Sequence, residues 1–140
     1  MKSRLALELE DVKAALEAAQ QEAVANGWAN VSIAIVDDGG HLLGFVRFTD
    51  ATPLSAAISL GKARTAALSR RESRFHEEMI RNGRNAFLSV AEVADTVLLE
   101  GGVPIVVEGA CIGAIGVSGV KSDQDAQIAG AGIKRIVERR

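Results

Sequence analysis

Over the first 25 positions the apolar residues fall at Leu5, Leu9, Val12, Leu16, Ala19 and Ala23, with Glu8, Asp11, Lys13, Glu17 and Gln21 on the other side. Steps of three and four predict an amphipathic α-helix of about five turns, and Asn26-Gly27 marks its end. From Val31 to Val36 the period shortens to two. Val31, Ile33 and Ile35 alternate with Ser32, Ala34 and Val36, and both sets are apolar or small. This is the pattern of a central strand covered on both faces. Asp37-Asp38-Gly39-Gly40 predicts a turn, and His41 to Phe48 a second strand antiparallel to the first. In that strand His41, Leu43, Phe45 and Arg47 share a face. Thr49 to Pro53 is a loop.

From Leu54 to about Arg71 the helical period returns. Leu54, Ala57, Ile58, Gly61, Thr65 and Leu68 form one stripe, and Ala56, Ser59, Ala63, Ala66 and Ala67 stand opposite, with Arg70 the main charge. A surface helix carries a charged back; this one predicts a helix covered on more than one side. Glu72 to Asn82 continues as a polar helix. Residues 86–100 fit neither period, although Ser89 with Glu92 three residues on has the form of a helix cap. Gly101-Gly102 opens a second hairpin, with strands at 103–107 and 110–117 around Glu108-Gly109. Ser122 or Asp123 then caps a last helix to about Glu138, where Gly130 and Gly132 imply close packing. The order α-ββ-αα-ββ-α predicts one domain over residues 1–140, of α+β class with a mainly antiparallel sheet.

Composition narrows the partners. Net charge is −2 and aromatic residues are 4% of the chain, with no tyrosine. A nucleic-acid surface needs a basic face and stacking rings, and neither is provided. One cysteine excludes a disulfide framework. No uncharged run is long enough to span a membrane. Acids interrupt the opening MKSRLALELEDVK, which implies no signal peptide and a cytoplasmic protein.

Most catalytic motifs fail on inspection. His76-Glu77-Glu78-Met79-Ile80 lacks the second histidine of a zinc protease, so His76 reads as a surface helix residue. Gly116-Val117-Ser118-Gly119-Val120 lacks the closing glycine of a nucleophile elbow. Cys111 reads as a small inward hydrophobe. Three features point to a ligand instead. The turn from Gly116 through Ser118 and Gly119 leads into a helix N-terminus, whose free N–H groups can hold an anion. Lys62 and Arg64 lean toward the apolar side of their helix and need a partner: Asp37, Asp38, Asp50, Asp95 or an acidic ligand. His41 shares a strand face with Arg47, an imidazole for a haem iron beside a cation for a propionate.

Val36-Asp37-Asp38-Gly39-Gly40-His41-Leu42, Gly61-Lys62-Ala63-Arg64-Thr65-Ala66, Gly101-Gly102-Val103-Pro104-Ile105 and Ile112-Gly113-Ala114-Ile115-Gly116-Val117-Ser118-Gly119, with Gln124-Asp125, together resemble the GlcG/HbpS family of haem-binding-like proteins. That family includes the C-terminal domain of PduO-type cobalamin adenosyltransferases. The chain departs from the family's Ser-Gly-Gly at Ser118-Gly119-Val120. The resemblance implies a profilin-like sandwich with a five-stranded antiparallel sheet flanked by helices. It also implies homo-oligomers, dimers assembling to octamers, with some members binding haem and many encoded beside catabolic enzymes.

The combined expectation is a cytoplasmic, oligomeric protein binding haem or a related small anionic molecule. His41 would be the iron ligand, with Arg47, Lys62, Arg64, Gly116, Ser118 and Gly119 lining the site. The rival is an enzyme of small-molecule catabolism acting on a hydroxy or oxo acid, in which Lys62 or Arg64 anchors the carboxylate and Ser118 or His41 moves a proton.

Overall fold

The computed structural model describes residues 1–140. The elements run α1 (Leu9–Ala25), β1 (Ser32–Asp37), β2 (Leu42–Arg47), α2 (Pro53–Ser69), α3 (Arg74–Arg81), a 3-10 turn (Asn85–Ser89), α4 (Val90–Val93), β3 (Gly102–Val107), β4 (Ala110–Ser118) and α5 (Ser122–Glu138). The sheet has four strands in the order β2-β1-β4-β3, all antiparallel, rather than the expected five. Two hairpins supply four strands, and residues 85–93 wind into short helical turns instead of a fifth.

The alternation in β1 divides the core. Ile33 and Ile35 enter one cluster with Val12, Ala15 and Ala19 of α1 and Ile128, Ala129 and Ile136 of α5. Ala34 and Val36 face the other way, into a smaller cluster with Ala63, Ala66 and Ala67 of α2 and Ala114 of β4. On this second face slim side chains let backbones close in. A Cβ on Gly116 would run into the Ser59 carbonyl and the Ala63 amide of α2. On the first face Gly132 meets Ala15 and Ile115 in the same way, whereas Gly130 faces open space, so packing does not account for its glycine.

On α2 the faces are reversed from the pattern: Ala63, Ala66 and Ala67 of the small-residue back pack on the sheet, Leu54, Ala57 and Leu68 of the stripe are exposed, and only the Gly61 and Thr65 part of that stripe gains a cover. Beyond the sheet, Val97 lies against Gly61, its amide donating to the Gly61 carbonyl at 3.1 Å and its carbonyl accepting from Thr65 Oγ1 at 2.8 Å. Several ends differ from the sequence pattern. The first helix begins at Leu9, because the Glu8 amide donates to Asp11 Oδ2 at 2.9 Å and closes a capping box there. Ser89 does not cap α4; its hydroxyl donates back to the Ala86 carbonyl. The cap of α5 falls on Lys121, whose amide donates to Gln124 Oε1, one residue before the expected serine. Cys111 is only half-buried.

Candidate functional site

Strand register separates the residues that the sequence nominates. Arg47 and Ser118 both lie opposite Ser32, at one end of the sheet. His41 follows the turn at the other end. Its ring Nδ1 meets Asp37 Oδ1 at 3.2 Å, and its side chain is 81% exposed. Burial raises the Asp37 carboxyl, but the His41 and Gly39 amides and the His41 ring outweigh it and hold it below its ordinary value. Arg64 belongs to this second end: Nε donates to the Gly40 carbonyl at 3.2 Å and Nη1 to Asp95 Oδ2 at 3.3 Å. The nominated residues therefore form two groups at opposite ends of the sheet.

Lys62 is the most constrained of them. Its ammonium donates to the Val117 carbonyl at 2.9 Å and to Asp125 Oδ2 at 3.1 Å, with only 4% and 3% of the two side chains exposed. The other carboxylate oxygen accepts from the Val120 amide at 3.2 Å. The acid held at the start of α5 is thus the chain's own Asp125, a partner outside the four aspartates that sequence spacing suggested for Lys62. Burial pushes the Asp125 carboxyl up to about 6, against the pull of Lys62 and the Val120 amide. Ser118 is buried beside this node, and Gly101 leaves the space that the lysine stem fills.

His76 is not the surface residue its helix suggested. It is 6% exposed, stacked on Phe87 with ring centroids 5.2 Å apart and planes 9° apart. Its Nε2 lies 2.9 Å from Ser69 Oγ. That hydroxyl donates to the Thr65 carbonyl at 2.6 Å, so toward the ring it can only accept. The proton is therefore on Nε2, and Nδ1 carries a bare lone pair. Nδ1 is the one buried side-chain nitrogen or oxygen of the chain without a hydrogen-bond partner. Burial, then the Arg71 charge, hold the imidazole below its ordinary pKa and so neutral. The four-residue spacing of His76 and Ile80 was a signal for an inward face, but the surrounding charges of α3 hid it.

Five recesses have volumes in the range of small-molecule sites, and two of them exceed 500 Å³. One of about 880 Å³ lies between α1 and β2, lined by Leu16, Val24, Val46 and Phe48 with Lys13 and Arg47. The other, about 530 Å³, is lined by Ile80, Leu88, Val97, Leu98 and Leu99, with Glu77 and Arg81. Around α3, Arg74 pairs with Glu72 and Glu78, and Arg81 pairs with Glu77. Arg71 and Arg84 instead lie over the rings of Phe75 and Phe87. The fit to a haem can be judged from these donors. The smaller recess has apolar walls, but its one arginine, Arg81, is paired with Glu77 of the same lining, and no His, Cys or Met lines it. The larger has cations for acid groups but no His, Cys or Met in its lining.

Comparison with known proteins agrees with the fold. Residues 7–134 match the family model described as haem degrading protein HbpS-like. Protein GlcG of Escherichia coli (strain K12) is 51% identical over 118 residues, 84% of this chain and 85% of that protein. The crystal structure of a double mutant of Streptomyces reticuli HbpS superposes with a TM-score of 0.83 at 30% identity, covering 96% of this chain and 89% of that one. A structure described as a PduOC:heme complex superposes at 0.82 with 26% identity, covering 94% and 95%.

Proposed function

This chain belongs to the HbpS-like family, and from that premise we propose that it is an oligomeric binding protein for a flat, largely apolar small molecule with acid groups, haem being the first candidate. The observation that carries the reading is the recess of about 880 Å³ between α1 and β2, where Leu16, Val24, Val46 and Phe48 adjoin Arg47, a cation without an ion-pair partner in the chain. Apolar side chains there would cover the faces of a macrocycle, and Arg47 would meet a carboxylate in a charge-assisted hydrogen bond. When bound, haem would supply an iron centre; the chain's part is to hold it, orient it and keep water away.

Self-association has its own support. The edge strand β2 presents Leu42, Leu43 and Phe45 to solvent, and α2 presents Leu54 and Leu68. Apolar residues on an unpaired edge are a natural contact for a second copy. No helix is long and apolar enough to cross a membrane.

A second reading, an enzyme acting on a hydroxy or oxo acid, is favoured by Lys13 and Arg47 on the α1–β2 recess, which could anchor a carboxylate. Titrating hemin into the purified protein tests the first reading. A saturable Soret change at one hemin per chain supports it. No saturable change, together with thermal stabilisation by hydroxy or oxo acids, overturns it in favour of the second. Native mass spectrometry of the same samples reports the assembly and the bound mass together; a monomer at all working concentrations would refute self-association.

A further inference from the structure

The floor of the α1–β2 recess is fixed from behind. Leu16, Val46 and Phe48 are half-buried and pack on the main core, so only part of each side chain lines the recess. At Gly44 of β2 a Cβ would strike Val12 and Leu16, and its absence lets α1 close on the strand. A ligand entering here meets a preformed apolar surface, with little side-chain freedom left to lose.

The charges on the rim select one acid group. Lys13 is already shared with Glu10, at 3.7 Å. Glu17, the only carboxylate of the lining, accepts from Gln21 Nε2 at 3.2 Å and would repel a further acid. Arg47 is exposed and has no ion pair. Its planar fork of N–H donors suits a carboxylate held by two parallel bonds.

The recess lacks the usual ligands for iron. Haem iron is held by His, Cys, Met or Tyr side chains. The chain has no tyrosine, and none of the other three lines this recess. His41 precedes β2 at the end opposite Arg47, and His76 is stacked on Phe87. Cys111 lines a different recess with Arg4 and Arg70, and Met79 belongs to α3. Resting on the proposed ligand class, we infer that the α1–β2 recess does not recognise the metal of its ligand. It takes a flat apolar acid by its faces, anchors one carboxylate on Arg47 and makes no bond to a central ion. A macrocycle is therefore held alike with or without iron.

The test measures dissociation constants of hemin and of metal-free protoporphyrin IX for the wild type, Arg47→Ala, Arg47→Lys, Glu17→Gln and His41→Ala. In the wild type the two constants should agree within about threefold, a difference well under 1 kcal/mol. Arg47→Ala should weaken both together by about 10–100-fold, the loss of a charge-assisted hydrogen bond. Arg47→Lys, which keeps the charge, should lose less, and His41→Ala should change neither constant. The dimethyl ester of protoporphyrin IX should bind the wild type and Arg47→Ala equally, which also shows that the variant is folded. Hemin binding about tenfold tighter than the metal-free macrocycle would mean that the chain ligates iron, and would overturn the inference while leaving haem binding intact. Loss of that excess in Glu17→Gln or in His41→Ala would then name the ligand. Equal constants that Arg47→Ala leaves unchanged would remove the ligand from this recess. Failure of the wild type to bind either macrocycle overturns the inference and the proposed ligand class together.

Discussion

The Lys62–Asp125 pair and His76 are buried to a similar degree, yet their polar atoms are accounted for in opposite ways. Both oxygens of Asp125 accept a hydrogen bond, and the Lys62 ammonium reaches a carboxylate and a carbonyl. His76 uses one nitrogen and leaves the other bare. The first arrangement is closed: it joins α2 to the start of α5 past the end of β4, and a ligand entering there would have to displace bonds already made. The second is open, because a new partner would satisfy an atom that has none. The molecule's firmest polar contact is therefore its least promising site for a ligand, although its charges drew attention to it in the sequence.

The largest expected effect comes from breaking the closed node. Lys62→Met leaves Asp125 buried without its cation and should cost about 3–5 kcal/mol in urea unfolding. Lys62→Met/Asp125→Leu, which removes both charges, should recover most of that loss. If the double variant is no more stable than the single, the cost lies in the packing of the lysine stem against Gly101 and not in the stranded charge. The corresponding His76→Phe change removes a bare lone pair and should cost far less or stabilise, provided the ring fits.

Proton linkage separates the two regions by sign. Asp125 has a folded pKa of about 6 against an ordinary 3.8. Its contribution is therefore fully present below the unfolded value and is lost as pH rises through the folded one, a change of about 3 kcal/mol at most. His76 is held below 6.5, so its contribution is present above 6.5 and is lost as pH falls through its folded pKa. Stability curves from pH 4 to 8 should show it: relative to the wild type, the Lys62→Met/Asp125→Leu variant gains toward pH 7, and His76→Gln gains toward pH 5. Difference curves of the same sign for both variants would break the contrast.

Much of the fold was legible because periodicity reports burial. The two-sided pattern of β1 translates directly into a strand covered on both faces, and the uncharged back of α2 into the face that packs on the sheet. The Arg64–Asp95 contact was also among the pairings that spacing allowed. Asp125 as the partner of Lys62 was not, since α2 and the start of α5 meet only through the order β2-β1-β4-β3, which hairpin patterns leave open. His76 was obscured for a different reason. Its neighbours Arg74, Glu77, Glu78 and Arg81 pair with one another or with nearby carboxylates on the outer face, so α3 looks uniformly wet although one side is sealed. The chain segment that seals it, 85–89, has no clear period of its own, and its role depends on a single ring, Phe87.

The smallest expected change in stability carries the sharpest test of the open region. Ser69→Ala removes the acceptor for His76 Nε2–H and should cost about 1 kcal/mol, far less than the loss of Lys62. The consequence for the ring is larger than that figure suggests. With no hydroxyl to fix it, the proton can move to Nδ1 and the imidazole can turn, which the ¹⁵N signals of His76 would report as a mixture of tautomers. Ser69→Thr, which keeps the acceptor, should retain the single tautomer of the wild type. An unaltered tautomer in Ser69→Ala would mean that packing against Phe87 alone orients the ring and that the serine has no positioning role.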